Sequence, residues 1–270
     1  AYETFGGTVP STDGQIAHYI AELAETHAVA TIVRRLAAIG KAHRSRGLAD
    51  PTKSELVKAT LRGIKRAKGT AQRQAKPLLK EDLFHLLECM GDRPKDLRDK
   101  ALLLLGFAGG FRRSELVGLN LEDIEYVRQG MIITLRRSKT DQEGLGRRIG
   151  IPFGRTRWCP VVRLRDWLEH AAIEGGSIFR LINRHGHISG RRLSGEAVSI
   201  IVKERAEAAC FDPYAFSGHS LRAGLATSAV MAGGTLYKIR QQTGHASDGT
   251  LNRYIREGDV FTDNVAGILL

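Results

Sequence analysis

Between Ser217 and Arg256 the chain reads SGHSLRAGLATSAVMAGGTLYKIRQQTGHASDGTLNRYIR, and four side chains there suit attack on a phosphodiester: His219, Arg222, His245 and Tyr254. A guanidinium grips phosphate through forked, charge-assisted hydrogen bonds. An imidazole takes or gives a proton near neutral pH. A phenol is an oxygen nucleophile, but it titrates near about 10 when free, so at neutral pH it needs cations or a base beside it. His219 and Arg222 stand three apart and share one face of a helix. Leu225 to Met231 is small and apolar, as in a buried helix, and Gly233-Gly234 stops it. Tyr237 to Gln242 reads as another short helix, ended by Gly244. The turn residues from Gly244 to Gly249 then lead into the segment with Tyr254.

A lone H-x-x-R is common on helices; an ordered set is more specific. H-S-L-R at 219–222, G-H at 244–245 and R-Y-I-R at 253–256 follow one another. This arrangement resembles the tyrosine recombinases, or phage integrase family, whose signature is H-x-x-R, then G-H or G-W, then a nucleophilic Tyr in a helix. Two upstream phrases extend the resemblance. Gly110 to Leu116, GFRRSEL, matches the family phrase G-[LF]-R-x-[SA]-E-L. The match assigns the first catalytic arginine to Arg112, with Arg113 as its competitor, and a supporting acid to Glu115, which at i+3 can orient the guanidinium. R-R-S-K-T-D at 136–141 matches the family's hairpin phrase R-x-K-T, which assigns a catalytic lysine to Lys139. Without those other positions Lys139 would read as an ordinary loop lysine.

The resemblance implies a division of labour. Strand cleavage passes through a phosphorane that gathers negative charge, and Arg112 and Arg222 would stabilise it. His219 would accept the phenol proton of Tyr254, His245 would donate to the scissile phosphate, and Lys139 would protonate the departing 5′ oxygen. The expected product is a 3′-phosphotyrosyl ester, which conserves the bond energy for rejoining without ATP, metal or other cofactor. The implied activity is site-specific DNA recombination. Two rivals share the chemistry or the scaffold: a type IB topoisomerase, which relaxes supercoils, and a catalytically silent DNA-binding regulator. The resemblance further implies double-stranded DNA with an inverted-repeat target, a homotetramer in the synaptic complex, and a monomer or weak oligomer without DNA. It implies a cytoplasmic, nucleoid-associated protein of bacterial, phage or plasmid origin.

Composition agrees with a polyanionic partner. The chain has 270 residues, 42% of them hydrophobic, and a formal net charge of +12. Cys89, Cys159 and Cys210 form no C-x-x-C pair, which argues for free thiols. His185 and His187 lie in a polar loop with no acid or cysteine to complete a metal site. No run is long and apolar enough to span a membrane. The first ten residues lack the basic and apolar regions of a secretion signal.

The elements that must position these residues read as mostly α, with a small antiparallel β-sheet (α+β). Residues 1–14 read as a loose arm. Helical periods follow from Gln15, over Ala28 to Arg46 and over Ser54 to Lys68, the last capped by Ser54 or Thr52. A polar stretch, GTAQRQAK, precedes Pro77 and sets a boundary: residues 1–76 as a helical core-binding (SAM-like) DNA-binding domain, 77–270 as the catalytic domain. Residues 1–76 hold 13 Lys plus Arg against 6 Asp plus Glu, a net +7; the rest, at 28 against 23, is +5. Arg34, Arg35, Lys41, Arg44, Arg46, Lys58, Arg62 and Lys65 are therefore candidates for DNA contact, or else ordinary solvated helix faces.

In the second domain Leu102 to Phe107 reads as a buried helix, broken by Gly109-Gly110. Strand-like runs fall at Ile124 to Val127, Met131 to Arg136 and Arg147 to Ile151. Ile178 to Ile182 is a short apolar run before a polar loop. A helix over Leu193 to Ala209 carries Glu196, Ser199, Lys203 and Arg205 on its polar side; the family places this helix in the major groove. Glu196 would accept from a cytosine amine, or merely complement the helix dipole. Lys203 is a further DNA-contact candidate. The apolar stripe Val260, Phe261, Val265, Ile268 and Leu269 must be covered, in its own domain or, as the family favours, by a neighbouring protomer.

Overall fold

A computed structural model describes residues 2–70, 75–136 and 146–244. Lys139, His245, Tyr254 and the tail stripe lie outside the described residues. The chain divides into two compact units, Ala1–Gln74 and Ala75–Leu270.

The first unit is three helices: α1 (Asp13–Thr26), α2 (Val29–Arg44) and α3 (Glu55–Lys68). Thr12 opens α1 with a reciprocal cap, its hydroxyl accepting from the Gln15 N–H while the Gln15 side chain accepts from the Thr12 N–H. Ser54 rather than Thr52 caps α3, accepting from the Val57 N–H. The apolar stripes Ile16, Tyr19 and Ile20, then Ile32, Leu36 and Ile39, then Val57 and Ile64 meet in one core. The first residues are not a loose arm. Tyr2 and Phe5 each bring their rings 4.9 Å from that of Tyr19, and the Ser11 N–H donates to Nε2 of buried His43. Two aromatics bury enough surface to hold the segment down despite its glycines. His43, whose Nδ1 lies 2.9 Å from the Ile39 carbonyl, is buried in the last turn of α2.

The second unit is built around α5 (Pro94–Gly109), whose stretch Ala101 to Leu105 is buried on all sides. Around it lie α4 (Lys80–Glu88), α6 (Arg113–Gly118), α7 (Pro160–His170), α8 (Gly195–Ala208), α9 (Ser220–Met231) and α10 (Leu236–Thr243). Strands β1 (Ile124–Val127), β2 (Gly130–Leu135) and β3 (Arg147–Pro152) form an antiparallel sheet in that order, with Met131, Ile133, Ile149 and Ile151 on its buried face. Trp167 on α7 donates its indole N–H to the Ile178 carbonyl, 2.8 Å away.

Two readings of the sequence need correction here. The apolar run and polar loop are a hairpin, β4 (Arg180–Ile182) and β5 (Ile188–Arg192), which carries too few apolar residues to announce itself by alternation. Arg205 is not on an outer polar face. It reaches into the unit and pairs with Asp96 and Asp99 of α5 at 2.7 and 2.6 Å, and Arg98 meets the same Asp99 at 2.7 Å. Two arginines against two aspartates keep that buried patch neutral, which is what makes burial tolerable. The three cysteines are free thiols.

Candidate active site

Four elements bring the described site residues together. Helix α5 ends at Gly110, whose left-handed backbone (φ 58°, ψ 33°) turns the chain sharply into Phe111 and Arg112. Arg112 is the N-cap of α6 and Glu115 sits in its first turn. Glu115 is buried and holds Arg112 twice: one carboxylate oxygen accepts from Nη1 at 2.5 Å, the other from the Arg112 backbone N–H at 2.9 Å. The guanidinium is thereby fixed in direction, and its Nη2 points toward the Gly244 carbonyl at 3.4 Å. Arg113, the competitor, is exposed and donates to the Ser199 hydroxyl at 2.8 Å, linking α6 to α8.

Arg222 lies in the first turn of α9 and is 2% exposed. Its Nη1 donates to the Gly110 carbonyl at 2.7 Å and also to the Thr243 carbonyl. The carbonyl groups at the C-terminal end of α10 carry partial negative charge, so guanidinium groups are stabilised there. Gly244 caps that helix in the left-handed conformation (φ 65°, ψ 42°), and its N–H returns to the Arg240 carbonyl at 2.7 Å. Arg112 and Arg222, separated by more than a hundred residues, thus meet at the successive carbonyls of Thr243 and Gly244, just before His245 in the sequence.

His219 forms the N-cap of α9 in helical backbone conformation, and its carbonyl accepts from the Ala223 N–H at 3.0 Å. It stands on the rim of an open groove of about 790 Å³, shared with Phe111, Arg112, Arg113 and Glu196. Partial burial of its ring, then the charges of Arg222, Arg113 and Arg112, hold its pKa below the usual imidazole value of 6.5. The ring is therefore neutral at pH 7 and able to accept a proton. Glu196, exposed in the first turn of α8, faces the same groove. Lys203 lies further along α8 with its ammonium 5.5 Å from the Tyr214 ring centre.

One further side chain at this cluster has no mark in the sequence. Arg147, which opens β3, brings Nη2 to 3.9 Å from Glu115. Its guanidinium lies against Gly244 so tightly that a Cβ built there would come within 1.8 Å of Nη1. Burial pushes its pKa down; Glu115 opposes that and Arg112 adds to it. At the edge of a strand it looks like a solvated residue, and only the fold brings it to Glu115.

In the first unit, Arg34, Lys41, Lys58 and Lys65 are exposed. Other candidates are engaged within the unit: Arg35 with the Tyr19 hydroxyl at 3.1 Å, Arg44 with Asp50, Arg46 with the Val9 carbonyl at 3.2 Å, and Arg62 with Glu55 at 2.6 Å. Among the described residues no cluster of His, Cys, Asp and Glu could hold a metal ion, and no helix is long and apolar enough to cross a membrane.

Residues 76–259 match the phage integrase family. Over 261 residues the chain is 41% identical to an integrase/recombinase xerD homolog of Selenomonas ruminantium, covering 95% of this chain and 76% of the relative. The phrases SGHS and YIR look like those of Cre, and the recombinase cre of Escherichia phage P1 is 27% identical over 262 residues, covering 90% and 75%. Among solved structures, the XerH site-specific recombinase bound to a palindromic difH substrate, in a post-cleavage complex, superposes with a TM-score of 0.69. That match is 17% identical and covers 97% of this chain and 74% of the other. At that identity the likeness establishes the fold: mostly helical, with small antiparallel sheets.

Proposed function

Because this chain belongs to the phage integrase family and is a site-specific DNA recombinase of the tyrosine class, we propose that it cuts and rejoins strands through Tyr254. The phenol oxygen attacks the scissile phosphorus, a P–O bond to tyrosine forms, and the P–O5′ bond breaks. His219 takes the phenol proton and Lys139 supplies one to the leaving 5′ oxygen. Arg112 and Arg222 hold the non-bridging oxygens as charge develops, and His245 orients them. Glu115 acts through Arg112 as a positioning residue.

The single observation behind this assignment is the meeting of Arg112 and Arg222 at the Thr243-Gly244 turn, with Glu115 fixing one of them and neutral His219 three residues before the other. DNA is the partner. We further propose an inverted-repeat site bound by four protomers, with the apolar stripe from Val260 to Leu269 docking into a neighbour. Residues 1–76 serve as the core-binding domain and 77–270 as the catalytic domain. The work takes place on DNA in the cytoplasm.

The test is covalent trapping. DNA flanking its gene is offered as nicked suicide fragments, and the adduct is resolved on a denaturing gel. Tyr254→Phe is expected to bind the fragment and form no adduct. Undiminished adduct from that variant would assign the nucleophile elsewhere.

A further inference from the structure

Arg147 carries three buried guanidinium nitrogens, Nε, Nη1 and Nη2, and among the described residues none has a hydrogen-bond partner. An ionised group with unmade hydrogen bonds is costly to bury, since the desolvation of each unpaired donor goes uncompensated. The nearest carboxylate, Glu115, is 3.9 Å away and already accepts two hydrogen bonds from Arg112. It offers Arg147 charge without a hydrogen bond. The fold thus keeps a cation in place with its donors unspent.

Its surroundings say what would use them. Arg222 donates to the Thr243 carbonyl, Arg112 points at the Gly244 carbonyl, and Arg147 lies on Gly244 itself. Three guanidinium groups thus stand within two residues of chain, at the site argued to hold the scissile phosphate. Against them stands one carboxylate, Glu115, so the cluster carries a net charge of +2. A phosphodiester carries one negative charge and the phosphorane formed by attack on it carries two. Arg112, Arg222 and Glu115 alone balance the ground state; Arg147 supplies the charge that only the transition state needs. Its side chain is 23% exposed, in the wall of an open groove with Arg148, Arg240 and Gly244, so a rotamer change presents its donors to an anion.

We infer that Arg147 is a third phosphate-binding arginine, donating to a non-bridging oxygen of the scissile phosphate as its charge builds. This rests on the reading of Arg112 and Arg222 as the phosphate clamp.

The experiment compares two suicide fragments recovered by trapping, one with a normal scissile phosphate and one with a methylphosphonate there. The methyl group replaces a non-bridging oxygen and removes its charge. On the phosphate, Arg147→Ala is expected to form adduct about 10²–10³-fold more slowly than the parent, the usual loss for one such donor. On the methylphosphonate, the gap between parent and variant is expected to close to within about tenfold, because there is less charge left to stabilise. Arg147→Lys, which keeps the charge and loses the fork, should fall between them on the phosphate. Fragment binding by each variant, read by gel shift, confirms folding. An equal loss on both substrates would make Arg147 a brace for the Gly244 turn and overturn the inference, as would normal cleavage of the phosphate by Arg147→Ala. Arg112→Ala runs alongside; its normal cleavage of phosphate would sink the clamp itself, whatever Arg147 does.

Discussion

Glu115 is the residue on which the arginine cluster balances, and its removal has a calculable cost. The carboxylate accepts from the Arg112 side chain and backbone and is the nearest anion to Arg147. Breaking a buried ion pair from one side costs about 3–5 kcal/mol, because the remaining charge is left without compensation. Here the surviving Arg112 side chain is 24% exposed, so water recovers part of that. A loss of about 2–3 kcal/mol remains for Glu115→Ala. For a unit of this size each kcal/mol shifts Tm by about 2–4 °C, which gives a drop of about 4–12 °C in the transition of the second unit. Chemistry should suffer more than binding. The cluster's charge rises from +2 to +3, so attraction for phosphate persists, but Arg112 loses the fork that aims it. Misplacement of such a group by about 1 Å costs about 10²-fold in rate. Calorimetry on the full chain and single-turnover adduct formation on the suicide fragment read the two effects separately. A Glu115→Ala protein that melts and cleaves like the parent would refute both the energetics and the positioning role.

Three further outcomes follow from other parts of the unit. The His219 ring resonance in the free protein, identified by its loss in His219→Asn, should titrate below the usual 6.5; a midpoint above it would remove the neutral base. Since the native state resists that proton, the unfolded chain binds more protons below about pH 6.5, and His219 subtracts stability as pH falls through that range and not above it. Gly224→Ala should destabilise the second unit by about 3 kcal/mol or more, because its Cβ would sit 1.8 Å from the Leu78 carbonyl oxygen, backbone that cannot swing away; an unchanged melting temperature would contradict the packing of α9. Removal of residues 260–270 should leave half-site binding intact and weaken tetramer assembly on a full site, as read by sedimentation; normal tetramers would rule out docking in trans.

What could be read from the sequence was whatever a short stretch of chain decides by itself. The stripes Ile16-Tyr19-Ile20 and Ile32-Leu36-Ile39 repeat at helical spacing and became helices packed on each other. The three runs read as strands form one antiparallel sheet. Gly110 and Gly244, placed as helix stops, both adopt left-handed backbone. The short-range half of the candidate site is equally legible: Arg112 with Glu115, and His219 with Arg222, lie three residues apart. What stayed hidden depends on distant partners. Arg205 looked solvated because its ligands, Asp96 and Asp99, are about a hundred residues earlier. Arg147 looked like the end of a strand because nothing beside it in sequence marks it for Glu115. Both are arginines in a chain with 41 basic residues, so composition hides them further. A long cationic side chain can leave its own element and serve another, and sequence spacing carries no information about where its far end lands. In a DNA recombinase, arginines that read as merely basic are therefore where further candidate site groups should be sought first.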